Sequence, residues 1–265
     1  MLIHLNPGLR LLLIPLFAAV LIHGGEIRAQ SASATASEVA SGSGRLSVSL
    51  FGGWASFSQK TVNDMIRFDN MLLTTSTDDG GAGLEKGLEQ LNDGLTFGIE
   101  VRYRLNSVWN IFAGVERLSD NSRIDFTFDA GSGPADSYLD YSAQGWPLHV
   151  GIERSFQFTE KLSYHVGAAA VLFPASKLSL SGGIGSLVID QEGTTTGVGA
   201  LFSWMGIYDL DGPLSLTGSI RMRMGDVGNP TDDAGDKLTN SYSGDPLKID
   251  WSGVDIMMGV VIDLF

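Results

Sequence analysis

The sequence predicts an all-β protein: a closed antiparallel eight-stranded transmembrane β-barrel with short periplasmic turns, long outer loops and short helices in the first loop. Three observations predict it. Eight segments alternate apolar and polar residues with a period of two, as strands with two unlike faces do. The connections between those segments alternate long and short. After Ile22 no apolar run approaches the roughly 18 residues of a spanning helix, although mean hydropathy is +0.12.

The first segment sets Leu46, Val48, Leu50, Gly52 and Trp54 against Ser47, Ser49 and Gly53. In the second, Leu95, Phe97, Ile99, Val101, Tyr103 and Leu105 oppose Gly98, Glu100, Arg102 and Arg104. In the third, Trp109, Ile111, Ala113 and Val115 oppose Asn110, Gly114 and Glu116, with Phe112 breaking the polar face. The fourth places Trp146, Leu148, Val150 and Ile152 against Gly145, His149, Gly151 and Glu153. Leu162, Tyr164, Val166, Ala168, Ala170 and Leu172 then oppose Ser163, His165, Gly167 and Ala169. The sixth (Val198, Ala200, Phe202, Trp204) is weaker, because Leu201 and Met205 occupy its other face. Leu214, Leu216, Gly218, Ile220 and Met222 oppose Ser215, Thr217, Ser219, Arg221 and Arg223. The last segment sets Val254, Ile256, Met258, Val260, Ile262 and Leu264 against Asp255, Gly259 and Asp263.

A soluble sandwich alternates in the same way, so the connections decide. Gln59 to Asp93, Asp120 to Ser137, Pro174 to Glu192 and Gly225 to Leu247 are long; Asn106-Ser107, Thr159-Glu160 and Asp209 to Pro213 are tight. Strict alternation puts every long loop at one end, as in a membrane barrel. Trp54, Tyr103, Trp109, Trp146, Tyr164, Trp204 and Tyr208 fall near strand ends, where interfacial girdles form. In the first loop, Thr61 to Leu73 and then Leu84, Leu88 and Leu91 have helical spacing, which predicts one or two short helices over the barrel mouth.

Composition excludes several functions. Lys+Arg 17 against Asp+Glu 30 gives a net charge of -13, the wrong sign for a phosphate-backbone binder, so no nucleic-acid partner is expected. With no cysteine there is no disulfide, thiolate metal site or cysteine nucleophile, and four histidines leave little room for zinc. Asp78-Asp79, Asp226, Asp232-Asp233, Asp236 and Asp245 form no calcium loop and read as a solvated acidic surface. No cofactor or metal is expected. At the N-terminus, Leu11 to Ile22 is a twelve-residue apolar run behind a weakly basic leader, too short to span a bilayer, with a cleavage site near Ala29. The expected organisation is a signal peptide at 1–29, a disordered linker at 30–44 and the barrel at 45–265.

An exported, cysteine-free chain of eight alternating segments ending in Phe265 resembles the small outer-membrane β-barrels of the OmpA/OmpX type, over roughly residues 45–265. The resemblance implies a monomer in the outer membrane of a Gram-negative cell envelope. It implies as partners the outer-membrane lipids and, during assembly, periplasmic chaperones and the barrel-insertion machinery that reads Phe265. Asp263 departs from the class, which usually carries an apolar or aromatic residue two places before the end.

With the apolar faces toward lipid, a charge network of Glu100, Arg102, Arg104, Glu116, His149, Glu153, Arg221, Arg223 and Asp255 is expected in the lumen. Gly98-Ile99-Glu100, Gly114-Val115-Glu116 and Gly151-Ile152-Glu153 repeat one element, an inward glycine leaving room beside an inward glutamate. Guanidinium forks can bridge such carboxylates. The expected function is structural or surface-interacting, through the outer loops, with a plugged lumen and no enzymatic activity. Two alternatives stand beside it: a narrow porin-like pore for small solutes, and a lipopolysaccharide-modifying enzyme using His149 or His165, with Ser163 and Glu153 as partners.

Overall fold

In a computed structural model of the chain, which describes residues 45–78, 87–129, 133–184 and 187–264, the alternating segments pair into one antiparallel sheet. The strands are β1 (Leu46–Ser56), β2 (Asp93–Arg104), β3 (Trp109–Asp129), β4 (Pro134–Gly145), β5 (Leu148–Gln157), β6 (Leu162–Ile184), β7 (Leu187–Asp209), β8 (Leu214–Gly228), β9 (Ile249–Asp250) and β10 (Gly253–Asp263); helix α1 (Lys60–Asp78) follows β1. β4 and β5 both lie between β3 and β6 and are one stave, interrupted at Trp146-Pro147. Pro147 has no N–H to give the ladder, so pairing pauses there and resumes. β9 is a two-residue appendage of β8. Eight staves remain, and Leu50, opposite Ile99 on β2 and Val260 on β10, closes the ring. The expected signal peptide and linker, and Phe265, lie outside the described residues.

The pairing register puts the predicted faces where the alternation assigns them. Leu50, Phe97, Ile99, Val150, Ile220 and Met258 are exposed on the outside, whereas Ser49, Glu100, Glu116, His149, Arg221 and Asp255 are buried inside. This apolar belt has a sharp upper limit. Along β3 the outward side chains run Trp109, Ile111, Ala113 and Val115, then change to Arg117, Ser119, Asn121 and Arg123. Along the β5–β4 stave they run Val150, Leu148 and Trp146, then Gln144, Ser142 and Asp140. Above that limit the faces exchange character: Ile124, Tyr141, Ala143, Leu178 and Leu180 are buried inside, and the outside turns polar.

That exchange corrects two expected loops. Asp120 to Ser137 and Pro174 to Glu192 are mostly ladder, the β3–β4 and β6–β7 hairpins continuing beyond the belt. An apolar-outside pattern loses them because their apolar residues point inward, and on β6 the register also shifts between Phe173 and Ser176. The first loop holds one helix. α1 has 19 residues, burying Val62, Met65 and Ile66 at the i, i+3, i+4 spacing of one face. Leu84 lies outside the described residues, and Leu88 and Leu91 follow in a segment without regular secondary structure.

Position 258 is 76% exposed on the outer, apolar face of β10. An arginine near the midplane of such a face costs about 2–4 kcal/mol, so Met258→Arg is expected to lose heat-modifiable migration after refolding into lipid. Gly259 points inward, where the sequence pattern alone expects a serine to be tolerated. The structure reverses that expectation: a Cβ there would strike the Leu50 carbonyl and lie 2.9 Å from the Phe51 Cα. Gly259→Ser is therefore expected to impair folding as well, whereas Gly218→Ser, with open space around its Cβ position, should fold normally.

Candidate functional site: the charged lumen and its apolar cap

Inward positions of an eight-stranded barrel are close enough for side chains to meet across it. Here they form one chain of alternating charge. Asp255 on β10 accepts from Arg223 on β8 at 2.7 Å, and the same guanidinium reaches Glu116 on β3 at 3.1 Å. Glu116 also faces Arg221 at 3.5 Å. Arg221 continues to Glu100 on β2 at 3.1 Å, and Glu100 contacts His149 on β5 at 2.9 Å. Arg102 bonds Glu100 and Ser49, lies 3.0 Å from the Met205 sulfur and reaches Glu153 at 3.3 Å. His165 on β6 meets Glu153 at 2.9 Å and Ser163 at 3.2 Å, while Asn110 donates to Glu153 at 2.9 Å. β1 enters through Ser49 and β7 through Met205, so the chain touches all eight staves.

The three repeated Gly-apolar-Glu elements explain its spacing. Gly114 lies against the His149 ring, where a Cβ would sit 2.6 Å from Nε2, and Gly98 lies against the Phe51 ring. These two glycines yield the room that a neighbouring ring occupies, whereas Gly151 lies against the Ala168 carbonyl and Ala169. Arg221 in turn stacks over Phe51 at 4.5 Å. The buried carboxylates and guanidiniums thus neutralise one another at close range, the condition under which charge survives in a poorly solvated interior.

Eight of the nine predicted lumen residues join this chain; Arg104 does not. It lies half-buried below it, two residues nearer the tight turns, where β2 is ending. Asn110, Ser49 and Met205 are members that the predicted network leaves out; His165, inward in the sequence pattern and set there beside Ser163 and Glu153, joins through Glu153. That contact depends on the β5–β6 register.

The Ser163, His165 and Glu153 set is also brought together, in the order hydroxyl, imidazole, carboxylate. Its surroundings do not complete hydrolytic chemistry. The strand containing Ser163 is paired on both sides, to Gln157 and Ile207, so its amides serve the ladder and not an oxyanion. Glu153 is shared with Arg102 and Asn110, and the hydroxyl faces the lumen, away from the outer apolar belt.

Above the charges lies a dry core. Trp251 is fully buried, meets Phe57 edge-on at 5.0 Å and donates its indole N–H to Ser176 at 2.9 Å. Arg223 donates to the Trp251 carbonyl at 2.8 Å, joining cap and network. α1 is held over this core at three places. Asn63 brackets Leu91 (3.0 and 2.7 Å) and Asn70 brackets Leu88 (2.9 and 2.8 Å), each side-chain amide serving an N–H and a C=O of the segment after α1. Gln59 and Thr61 bond the backbone around Asp250 and Lys248. Asp69 accepts from both Tyr141 and Tyr242. Burial, reinforced by that carboxylate, holds both phenols well above their ordinary range, so they stay protonated donors.

Removing Arg223 would leave Glu116 and Asp255 facing each other without their shared cation. Arg223→Met is expected to destabilise the folded barrel by about 3–5 kcal/mol, as breaking buried pairs does, read as a lowered urea midpoint in lipid vesicles. Asp120, just above the belt, behaves differently. Burial, then the charges of Asp93 and Glu89, push its carboxyl up to about 6, against backbone hydrogen bonds from Asn121 and Asp93. Its folded value exceeds the unfolded one, so the folded state gains by protonation, and that gain is lost as pH rises from about 4 through about 6. Unfolding midpoints between pH 4 and 8 should therefore fall less steeply with rising pH in Asp120→Asn than in the wild type.

No protein-family model matches this chain, and no curated protein matches it by sequence. Among solved structures it is similar to Ail, the attachment invasion locus protein of Yersinia pestis, crystallised in complex with the heparin analogue sucrose octasulfate: 13% identity, TM-score 0.40, over 84% of this chain and 99% of that one. It is also similar to Neisserial surface protein A: 14% identity, TM-score 0.41, over 83% of this chain and 97% of that one. At such identities the likeness concerns the fold alone.

Proposed function

We propose that the protein is an outer-membrane barrel with a filled lumen, and that its work is structural or surface-interacting and done at the end bearing the long hairpins. The observation that carries this reading is the ion-pair chain from Asp255 to His165, tied to all eight staves beneath the Trp251 core. An ion path needs charges that face water along a pore; here the lumen charges face one another. His149 and His165, which a lipid-modifying enzyme would use, are buried on carboxylates on the side away from lipid.

In this reading the tight turns face the periplasm and α1 with the long hairpins faces outward. Residues 1–29 are removed near Ala29, residues 30–44 form a linker, and Phe265 serves insertion. The barrel acts as a monomer in contact with outer-membrane lipid, after delivery by periplasmic chaperones and the insertion machinery. Exposed Asp233, Asp236 and Asp245 give the outer loops an acidic surface suited to partners that are not themselves strongly acidic.

Planar-bilayer recording tests it. The wild-type protein is expected to be silent, and Arg221→Ala to stay silent if folded. Conductance steps in the wild type that change with Arg221→Ala would replace this reading with the pore. On intact cells, external protease should cut between residues 232 and 245 and spare the Asn106-Ser107 turn; the opposite pattern would invert the orientation.

A further inference from the structure

At the upper limit of the apolar belt one cation differs from its neighbours. Arg117 points outward from β3, directly opposite Phe97 on β2. Trp146 flanks it on the other side, where the β3–β4 and β3–β5 registers place positions 117 and 146 opposite each other. The guanidinium lies 5.8 Å from the Phe97 ring and 5.7 Å from the Trp146 ring. Both rings are exposed, at 51% and 45%. Several exterior cations sit on acids: Lys60 on Asp64, Arg123 on Asp125, Lys177 on Glu192 and Lys248 on Asp226; Arg154, at the opposite end of the belt, also lies over two rings, Trp109 and Phe156. Arg117 has no carboxylate within ion-pair distance among the described residues, and its Nε is buried without a hydrogen-bond partner.

We propose that Arg117, held between Phe97 and Trp146, binds the phosphate group of a membrane lipid at the headgroup level of the outer leaflet. The inference rests on the membrane reading above and adds a ligand class to it. Three features point to that chemistry. The two rings hold the planar cation at fixed depth, at the row where outward side chains change from Val115 and Leu148 to Ser119 and Gln144. Aromatic faces retain a cation without neutralising it, so its charge and donors stay available. The guanidinium fork matches two oxygens of a tetrahedral phosphate, a geometry that lysine does not reproduce. In a chain this acidic, an outward arginine without an acid partner is the place where an anion meets least repulsion.

The test uses the folded protein in dodecyl maltoside, a phosphate-free detergent, with bound lipid read by native mass spectrometry. Phosphatidic acid is the lipid probe, oleate the carboxylate control and inorganic phosphate the free-anion control. Wild type is expected to hold phosphatidic acid about tenfold more tightly than Arg117→Gln, a difference of about 1.4 kcal/mol. Arg117→Lys should recover only part of that, and Trp146→Leu, which keeps the charge, should also weaken binding. Heat-modifiable migration checks that each variant is folded; if Arg117→Gln is not, Arg117→Lys and Trp146→Leu carry the comparison. Equal retention of phosphatidic acid by wild type and folded variants would overturn the proposal. Equal binding of oleate would show that the site does not prefer phosphate, and inorganic phosphate binding as tightly as the lipid would remove the membrane lipid as the ligand; either result rejects it. A wild-type protein that fails to insert into bilayers would instead sink the membrane reading, a separate outcome.

Discussion

Strand edges cannot be left open in an apolar surrounding. Backbone N–H and C=O groups there have no water to bond, so every ladder must find a partner and the sheet must return to its start. The β1–β10 pairing is that return, and much else follows from it. Closure by eight staves makes the interior narrow. Narrowness brings Glu100, Arg102, Glu116, Arg221 and Arg223 within reach of one another and requires glycine beside them. Outside, the same pleat turns every second residue away from the lumen, and those residues form an apolar belt from Leu95 to Leu105 and from Val254 to Leu264.

The buried charges are a consequence and also a fastener. Replacing paired ions by well-packed apolar groups is often neutral or stabilising, so such pairs are weak evidence for net stability. Their geometric demand is stronger. A one-residue slip of any stave would turn its charges to the outer apolar face and its apolar residues into the lumen. Because the chain from Asp255 to His165 draws on every stave, a slip anywhere strands a charge somewhere else. Arg102 shows this most plainly, bonding β1 and β5 side chains and touching β7 from its place on β2.

Above the belt the barrel is organised as a water-soluble protein would be, apolar inside and polar outside. The transition is built from residues that tolerate both environments: Trp54, whose indole donates to Asp93 at 2.7 Å, Trp146, and Arg117 between its two rings. Over it α1 and the segment after it are joined by Asn63 and Asn70, whose side-chain amides supply the paired donor and acceptor that a neighbouring strand would otherwise offer. The backbone groups of Leu88 and Leu91 are thereby satisfied while their side chains are buried.

The amino-acid order by itself determined the all-β class, the eight staves, the side on which each belt residue lies and eight of the nine predicted lumen charges in the chain. These follow from local quantities: a period of two, the length of a connection, the sign of a side chain. It also held the apolar spacing of α1, from Val62 to Ile66. Only the tertiary structure decided who pairs with whom. His165 finds Glu153, Arg223 finds both Glu116 and Asp255, and Arg104 finds none of them, because partnership depends on stagger between staves that are distant in the chain. The upper hairpins were hidden for a related reason. Their alternation is intact, but its polarity inverts at the upper limit of the apolar belt, and a pattern read from residues alone carries no marker of that row. Arg117 is the clearest case: in the sequence it is one more charge after Glu116, and only the ring places it outside, at the boundary row, between Phe97 and Trp146.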